Sequence, residues 1–325
     1  MTSSTSTSDG DSSSHKEGIV TRSTGSWYDV RVGDQTIPSR IRGKFRLTRQ
    51  DVTNPVAVGD RVTIRLTKED DTGLIMDIHE RTNKLSRRAA GHRQGEEHVM
   101  VANVDRVWIV QSVQLPPLNP AFVDRLLVAA SVYEIPAGII LNKMDLLSDA
   151  NRPEVMDFHL RYDDLGYPVL PTSAMKGDGL DRLKTALQDQ VNVVTGPSGT
   201  GKSSLLNAIE PGLDVETGEV SESTQKGTHT TTHAELHPLS IGGYVVDTPG
   251  VREFGVREVH PMDLGHFMPD LAPYVNDCQF PDCTHDHEPG CAIKTAVNRG
   301  DVHPARYDSY LRILHSLQEE EERTF

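Results

Sequence analysis

Between residues 17 and 80, apolar and polar side chains alternate in short bursts. These cover residues 18–20, 27–32, 35–37, 61–66 and 73–78, with Gly and Asp punctuating the gaps. A period of two places alternate side chains on opposite faces, so each burst predicts a half-buried strand. Five such strands in so short a stretch predict a small OB-type barrel. Beyond residue 100 the pattern changes. Compact apolar runs at 104–110, 137–141, 167–170, 191–195 and 244–247 read as strands buried on both faces. Residues 120–134 carry Leu126, Leu127 and Ala130 at helical spacing, behind an Asn119 cap and Pro120. Residues 180–187 form a second amphipathic helix, and a last one starts at Pro304 with Tyr307, Leu311, Leu314 and Leu317 on one stripe. Strands alternating with helices predict an α/β domain with a mostly parallel sheet.

Composition then limits the possibilities. The 325 residues include 33 Lys+Arg and 47 Asp+Glu, a formal charge of −14. That balance disfavours a uniformly basic nucleic-acid binder and attraction to an anionic membrane. The charge is uneven, however. Residues 16–93 hold 16 Lys+Arg against 10 Asp+Glu, which leaves −20 for the rest. Arg40, Arg42, Lys44, Arg46 and Arg49 follow one another without an acid between them. This stretch is either a solvated strand face or an RNA surface on the barrel. Three cysteines are too few for a disulfide framework and point to a reduced, cytoplasmic setting. The Ser/Thr-rich opening has no cationic start and no apolar core, so it reads as a disordered tail rather than a secretory signal. No apolar run approaches the ~20 residues of a membrane span. The acidic run Glu319, Glu320, Glu321 and Glu322 reads as a solvated helix end.

The chemistry lies in four motifs. Gly196, Pro197, Ser198, Gly199, Thr200, Gly201, Lys202 and Ser203 spell G-x-x-x-x-G-K-[ST] between a predicted strand and a helix that continues with Ser204. That is the context in which loop N–H groups and a helix N-terminus surround a β-phosphate. Lys202 would neutralise phosphate oxygens and Ser203 would ligate Mg²⁺. Asn142, Lys143, Met144 and Asp145 end an apolar strand as N-K-x-D. The two oxygens of Asp145 match the N1–H and exocyclic amine of guanine, a donor pair adenine lacks. Lys143 can lie along the base, and Asn142 can tie this loop to the phosphate loop. Ser173 and Ala174 follow the next strand, like the loop that supports guanine O6. Asp247-Thr248-Pro249-Gly250 resembles D-x-x-G, with Asp247 behind the Mg²⁺ shell and Gly250 N–H at the γ-phosphate. Upstream, Thr231 is the choice for the Mg²⁺ and γ-phosphate contact, with Thr230 and Thr232 left open. Val251 stands where Ras-like enzymes carry a water-orienting Gln. His229 is therefore the candidate catalytic group, against a surface histidine in a threonine-rich loop.

These elements occur in rotated order, since N-K-x-D precedes the phosphate loop. The sheet edge can keep the site in space while the chain order is circularly permuted. Finally, Cys278-x₄-Cys283-x-His285-x₅-Cys291 gathers every cysteine and a histidine into fourteen residues. Cys₃His is a closed tetrahedral zinc set, so one structural zinc is expected, with His287 as the competing fourth ligand. The expected organisation is a tail (1–15), an OB-type barrel (16–85), a circularly permuted P-loop GTPase domain (95–262) and a zinc-binding helical domain (263–325).

This ordered set resembles the circularly permuted bacterial GTPases of small-ribosomal-subunit biogenesis, the RsgA family. Asn103-Val-Asp105 before the first α/β strand is also similar to the family. The resemblance covers all but about the first fifteen residues. It implies GTP hydrolysis to GDP stimulated by the small ribosomal subunit, a role in its late maturation, and contacts with its rRNA. It also implicates His229 in hydrolysis. Thr228 departs from the arginine usual before that histidine. A monomer without membrane attachment is expected. Two other readings are a nucleotide-ordered RNA-binding scaffold with negligible hydrolysis, and a GTPase of metal delivery, which would need exchangeable metal.

Overall fold

The computed structural model describes residues 15–41, 55–67, 71–88, 97–213, 234–247 and 259–322. Five strands form the barrel: β1 (His15–Thr24), β2 (Trp27–Val32), β3 (Gln35–Ile41), β4 (Arg61–Leu66) and β5 (Gly73–Ile78). They close in the order β1-β2-β3-β5-β4-β1, antiparallel except between β3 and β5. This is the OB arrangement the alternation predicts. Val20, Val30, Ile37, Val62, Ile64 and Ile75 fill its interior because they occupy the inward positions of the pleat.

A hairpin of β6 (Lys84–Arg88) and β7 (Glu97–Ala102) follows the barrel. Neither strand is among those the sequence pattern predicts. A buried clasp joins it to the barrel. Asp60 accepts a bidentate pair from Arg81 at 2.7 and 2.8 Å and also the Ala57 N–H at 2.8 Å. Asn103 donates to the Gly59 carbonyl at 2.9 Å. At Gly59 φ is +87°, and a Cβ would sit 2.0 Å from the Ala102 carbonyl oxygen. Only glycine allows that approach.

The second half is a layered α/β domain. Its elements are β8 (Arg106–Ser112), α1 (Pro120–Val132), β9 (Ala137–Asn142), α2 (Arg152–Asp164), β10 (Val169–Pro171), α3 (Leu180–Leu187), β11 (Val191–Thr195), α4 (Lys202–Ile209), β12 (Glu235–Pro238) and β13 (Tyr244–Asp247). The strands lie in the order β10-β9-β8-β11-β13-β12, parallel except for β12. Helices α1 and α2 pack on one face with Val107 and Ile109. Helices α3 and α4 pack on the other with Trp108 and Val110. β12 also pairs with β1 through Arg22 and Glu235, so barrel and parallel sheet form one eleven-stranded sheet. The sequence pattern missed α2 and β12. The four residues of β12 show too little alternation to register.

The C-terminal segment has two 3₁₀ turns, Pro261–Phe267 and Ala272–Asp277, then α5 (Ala292–Arg299) and α6 (Pro304–Glu322). The buried stripe of α6 is rotated from the predicted one. Arg306, Tyr310, Ile313, Leu314 and Leu317 are buried, whereas Tyr307 and Leu311 are half-buried. The cause is Arg306, only 1% exposed, which makes a bidentate pair with Asp270 at 2.6 and 3.0 Å and reaches Asp124 of α1 at 2.5 Å. Tyr162 of α2 donates to the same Asp124 oxygen at 2.6 Å. Desolvation opposes the Arg306 charge, but the two carboxylates outweigh it and hold the guanidinium firmly ionised. The acidic end of α6 is solvated, as its composition predicts: Glu319, Glu321 and Glu322 are exposed, with Glu320 3.9 Å from Arg125 and Glu321 3.9 Å from His260 at the surface. No helix among the described residues is long and apolar enough to cross a membrane.

Candidate nucleotide site and metal centre

Parallel strands carry their carboxyl ends to one edge, and here β8, β9, β10, β11 and β13 end together. Such an edge is where open α/β sheets bind ligands. Gly196 leaves β11 with φ +148°, and a Cβ there would meet the Val110 carbonyl oxygen at 2.3 Å. The loop then turns through Pro197, Ser198 and Gly199. It is braced by the buried Thr200, whose hydroxyl donates to the Pro197 carbonyl at 3.0 Å. Gly201 has φ +88°, and a Cβ would lie 2.4 Å from Asn142 Nδ2. Lys202, Ser203 and Ser204 open α4, whose N-terminus has no side-chain cap, so its first N–H groups can face an anion. The Lys202 ammonium donates to the Gly196 and Pro197 carbonyls at 2.9 and 2.8 Å. It thus lies within the loop that would take the phosphates.

Asn142 joins three loops. Its amide donates to the Thr200 carbonyl at 2.9 Å. Its oxygen accepts from Thr172 Oγ1 and the Ala174 N–H, each at 3.3 Å. Ser173 donates to Asp145 Oδ1 at 2.5 Å, and that hydrogen bond holds the carboxyl below its ordinary value. Asp145 is therefore ionised near neutral pH with acceptor capacity to spare. The Lys143 stem passes the phosphate loop, its Cε 3.8 Å from a Cβ placed on Gly201. Its ammonium donates to the Leu115 carbonyl. Met144 N–H bonds to the Thr172 carbonyl at 3.0 Å. Asp247 ends β13, which pairs with β11 through Val246 and Val193. The fold thus brings together the phosphate loop, N-K-x-D, the Ser173–Ala174 turn and the end of β13. Gly250, Val251, His229, Thr230, Thr231 and Thr232 lie outside the described residues, as do Arg42, Lys44, Arg46 and Arg49. The Leu115 loop went unnoticed in the sequence because it matches no motif.

At the C-terminal end the ligand atoms of Cys278, Cys283, His285 and Cys291 lie within 4.8 Å of one another. A tetrahedral zinc with ordinary bond lengths sets edges of about 3.8 Å between sulfurs and about 3.5 Å from sulfur to nitrogen. The structure has 3.9 Å between Cys278 and Cys291, and 3.3 and 3.6 Å from those sulfurs to His285 Nδ1. The donor set therefore fits one zinc, and the histidine that the fold brings to the three sulfurs is His285 rather than the exposed His287. Burial leads the rise of the Cys283 thiol to about 12 and also pushes the Cys291 thiol up. Burial lowers the pKa of His285, which favours the neutral, ligating ring. Tyr307 donates to the His285 carbonyl at 2.6 Å and Tyr310 to the Thr284 carbonyl at 2.8 Å, so α6 clamps the ligand loop. Thr284 is also tied to Glu288 by backbone and hydroxyl bonds of 2.9 and 2.6 Å.

Comparison with known proteins agrees with this geometry. The RsgA N-terminal domain matches residues 17–75, and the RsgA GTPase domain matches residues 78–257. The small ribosomal subunit biogenesis GTPase RsgA of Gemmatimonas aurantiaca is 41% identical over 92% of this chain and 97% of its own. Its namesake RsgA 2 of Bacteroides thetaiotaomicron is 39% identical over 93% and 97%. Among solved structures, YjeQ from Thermotoga maritima superposes with a TM-score of 0.76 at 33% identity, covering 94% of this chain and 99% of that one. YloQ, described as a circularly permuted GTPase, gives 0.75 at 31% identity over 96% and 99%. Because these matches run through barrel, permuted sheet and C-terminal segment alike, this chain belongs to the RsgA GTPase family.

Proposed function

We propose that the chain is a GTP-hydrolysing assembly factor of the small ribosomal subunit that meets rRNA through its barrel. The observation that carries the nucleotide reading is Asn142, which bonds at once to the phosphate loop and to the turn beside Asp145. Base and phosphate recognition are thereby locked in one register. In this reading the N–H groups from Gly196 to Ser204 hold the phosphates and Lys202 exchanges its loop carbonyls for phosphate oxygens. Asp145 accepts from guanine, with Lys143 under the base, Met144 beside it, and Ser173 and Ala174 at O6. Ser203 and Thr231 would hold Mg²⁺, which when bound neutralises phosphate charge. Asp247 would stand behind the Mg²⁺ shell, the Gly250 N–H would meet the γ-phosphate, and His229 would orient water in place of the missing glutamine. The barrel, permuted domain and zinc module act as three units of one cytoplasmic monomer.

Phosphate release with and without purified small subunits tests the proposal. Stimulation by the subunit is expected. A rate that stays negligible in both cases would favour the scaffold reading. His229→Ala should bind GTP normally and hydrolyse it at least about 100-fold more slowly. Asp145→Asn replaces one acceptor by a donor, so GTP affinity should fall roughly 100-fold while xanthosine triphosphate gains. Unchanged base preference would remove Asp145 from recognition.

On the barrel, Arg40 stacks 3.9 Å from the Trp27 ring centroid, which fixes one cation at the surface. Replacing Arg40, Arg42, Lys44, Arg46 and Arg49 by Ala should weaken subunit binding and flatten its salt dependence by up to about five counterions. Equal slopes for the two proteins would refute an rRNA contact there.

A further inference from the structure

We infer that Ser112 is a positioning residue for guanine recognition, acting through the Leu115 carbonyl and Lys143. The inference rests on the reading of Lys143 as the platform under the base, and it assigns work to a loop outside every nucleotide motif. Ser112 ends β8, is fully buried, and pairs across the sheet with Asn142. Its hydroxyl lies 2.6 Å from the Pro116 carbonyl and 3.0 Å from the Gln114 carbonyl, and shares its single proton between them. The two bonds fold the loop back on its own strand and leave the intervening Leu115 carbonyl pointing at the Lys143 ammonium, which donates to it. Pro116 rests against the phosphate loop, its Cδ 3.5 Å from a Cβ placed on Gly199.

Two further features mark this contact as built. Leu115 and Lys143 are both in the left-handed region, at φ +59° and +63°. Neither is glycine, so each conformation costs free energy that the surroundings must supply. Leu115 also leaves its side chain 68% exposed, so what holds this loop tip is its backbone rather than apolar burial. A lysine stem has four rotatable bonds, and an unanchored one samples many rotamers. Fixing its far end on a carbonyl holds the stem flat along the Gly201 edge of the phosphate loop, so less ordering is left for the nucleotide to induce.

The test is a double-mutant cycle on the full, zinc-loaded chain, read as the Kd of a fluorescent N-methylanthraniloyl-GDP. Ser112→Ala should weaken binding about fivefold, the loss of one hydrogen bond's organising effect. Lys143→Ala should weaken it at least as much. The double variant should bind no worse than Lys143→Ala alone, because the serine acts through the lysine. Wild-type affinity in a Ser112→Ala protein of unchanged Tm would overturn the inference. So would a double variant whose loss is the product of the two single losses, since Ser112 would then support only the fold. Lys143→Ala binding like wild type would instead overturn the platform reading on which the inference stands. Should Ser112→Ala fail to fold, Ser112→Cys, near in shape but a weak donor, takes its place in the cycle, with the same outcomes supporting or overturning the inference.

Discussion

Replacing Arg306 by methionine is expected to destabilise the fold by about 3–5 kcal/mol, because it strands two buried carboxylates. Asp124 is 1% exposed, and its Oδ1 already serves both Arg306 and Tyr162 while Oδ2 has no partner. Take away the guanidinium and only the Tyr162 hydroxyl remains to compensate that charge. Burial and the adjacent carboxylate keep Tyr162 protonated far above its ordinary range, so it remains a donor but never a counter-charge. The four groups span α1, α2, the turn before Ala272 and α6, so the loss falls on the joint between the GTPase sheet and the C-terminal module. Equilibrium urea unfolding of the zinc-loaded protein measures it, and a midpoint shift worth less than about 1 kcal/mol would show that the network is compensated. Adding Asp124→Leu to Arg306→Met should recover much of the loss, since breaking a buried pair costs more than removing it. No recovery would locate the cost in packing of the arginine stem instead.

Removal of zinc should have the other large effect. Amide exchange across residues 278–299 is expected to accelerate at least about 1000-fold on chelation, because a structural zinc site supplies folding free energy that this short segment cannot replace by burial. The segment contributes few core side chains of its own, chiefly Ile293 and Ala296, with Cys283 and Cys291 themselves among the buried residues. Loss of the ligand loop also releases the carbonyls that Tyr307 and Tyr310 cap. Nucleotide affinity should change less than about twofold, since the phosphate loop is braced by Asn142 and Thr200 rather than by the metal. Unaltered exchange in protein verified as metal-free would exclude a structural role. Metal binding should weaken as pH falls. The Cys283 thiol, raised to about 12, must give up its proton to ligate, so acid competes directly with zinc. Tight retention at neutral pH under mild chelation would count against metal delivery.

By itself the sequence determined whatever is encoded in short, local runs. The phosphate loop needs glycine at Gly196 and Gly201 and a lysine beside a helix start, and those residues are contiguous. The base-reading tetrad and the cysteine spacing are equally local, and their rotated order already implied a permuted sheet. Alternation found all five barrel strands because each shows one face to its own small core. It missed the β6–β7 hairpin and β12, whose strands are defined by their partners rather than by their own pattern. Tertiary structure alone chose His285 over His287, since spacing admits both and only the fold carries one ring to the sulfurs. It alone buried Arg306, a charged side chain that Asp270 and Asp124, the latter 182 positions away in the chain, neutralise together. It alone set the Lys143 ammonium against the Leu115 carbonyl, a backbone acceptor that no side-chain pattern encodes. A motif states which groups are available for chemistry. Contacts between distant segments decide which of them become buried, paired and held in place, because the free energy of burial and pairing depends on the partner and not on the residue alone.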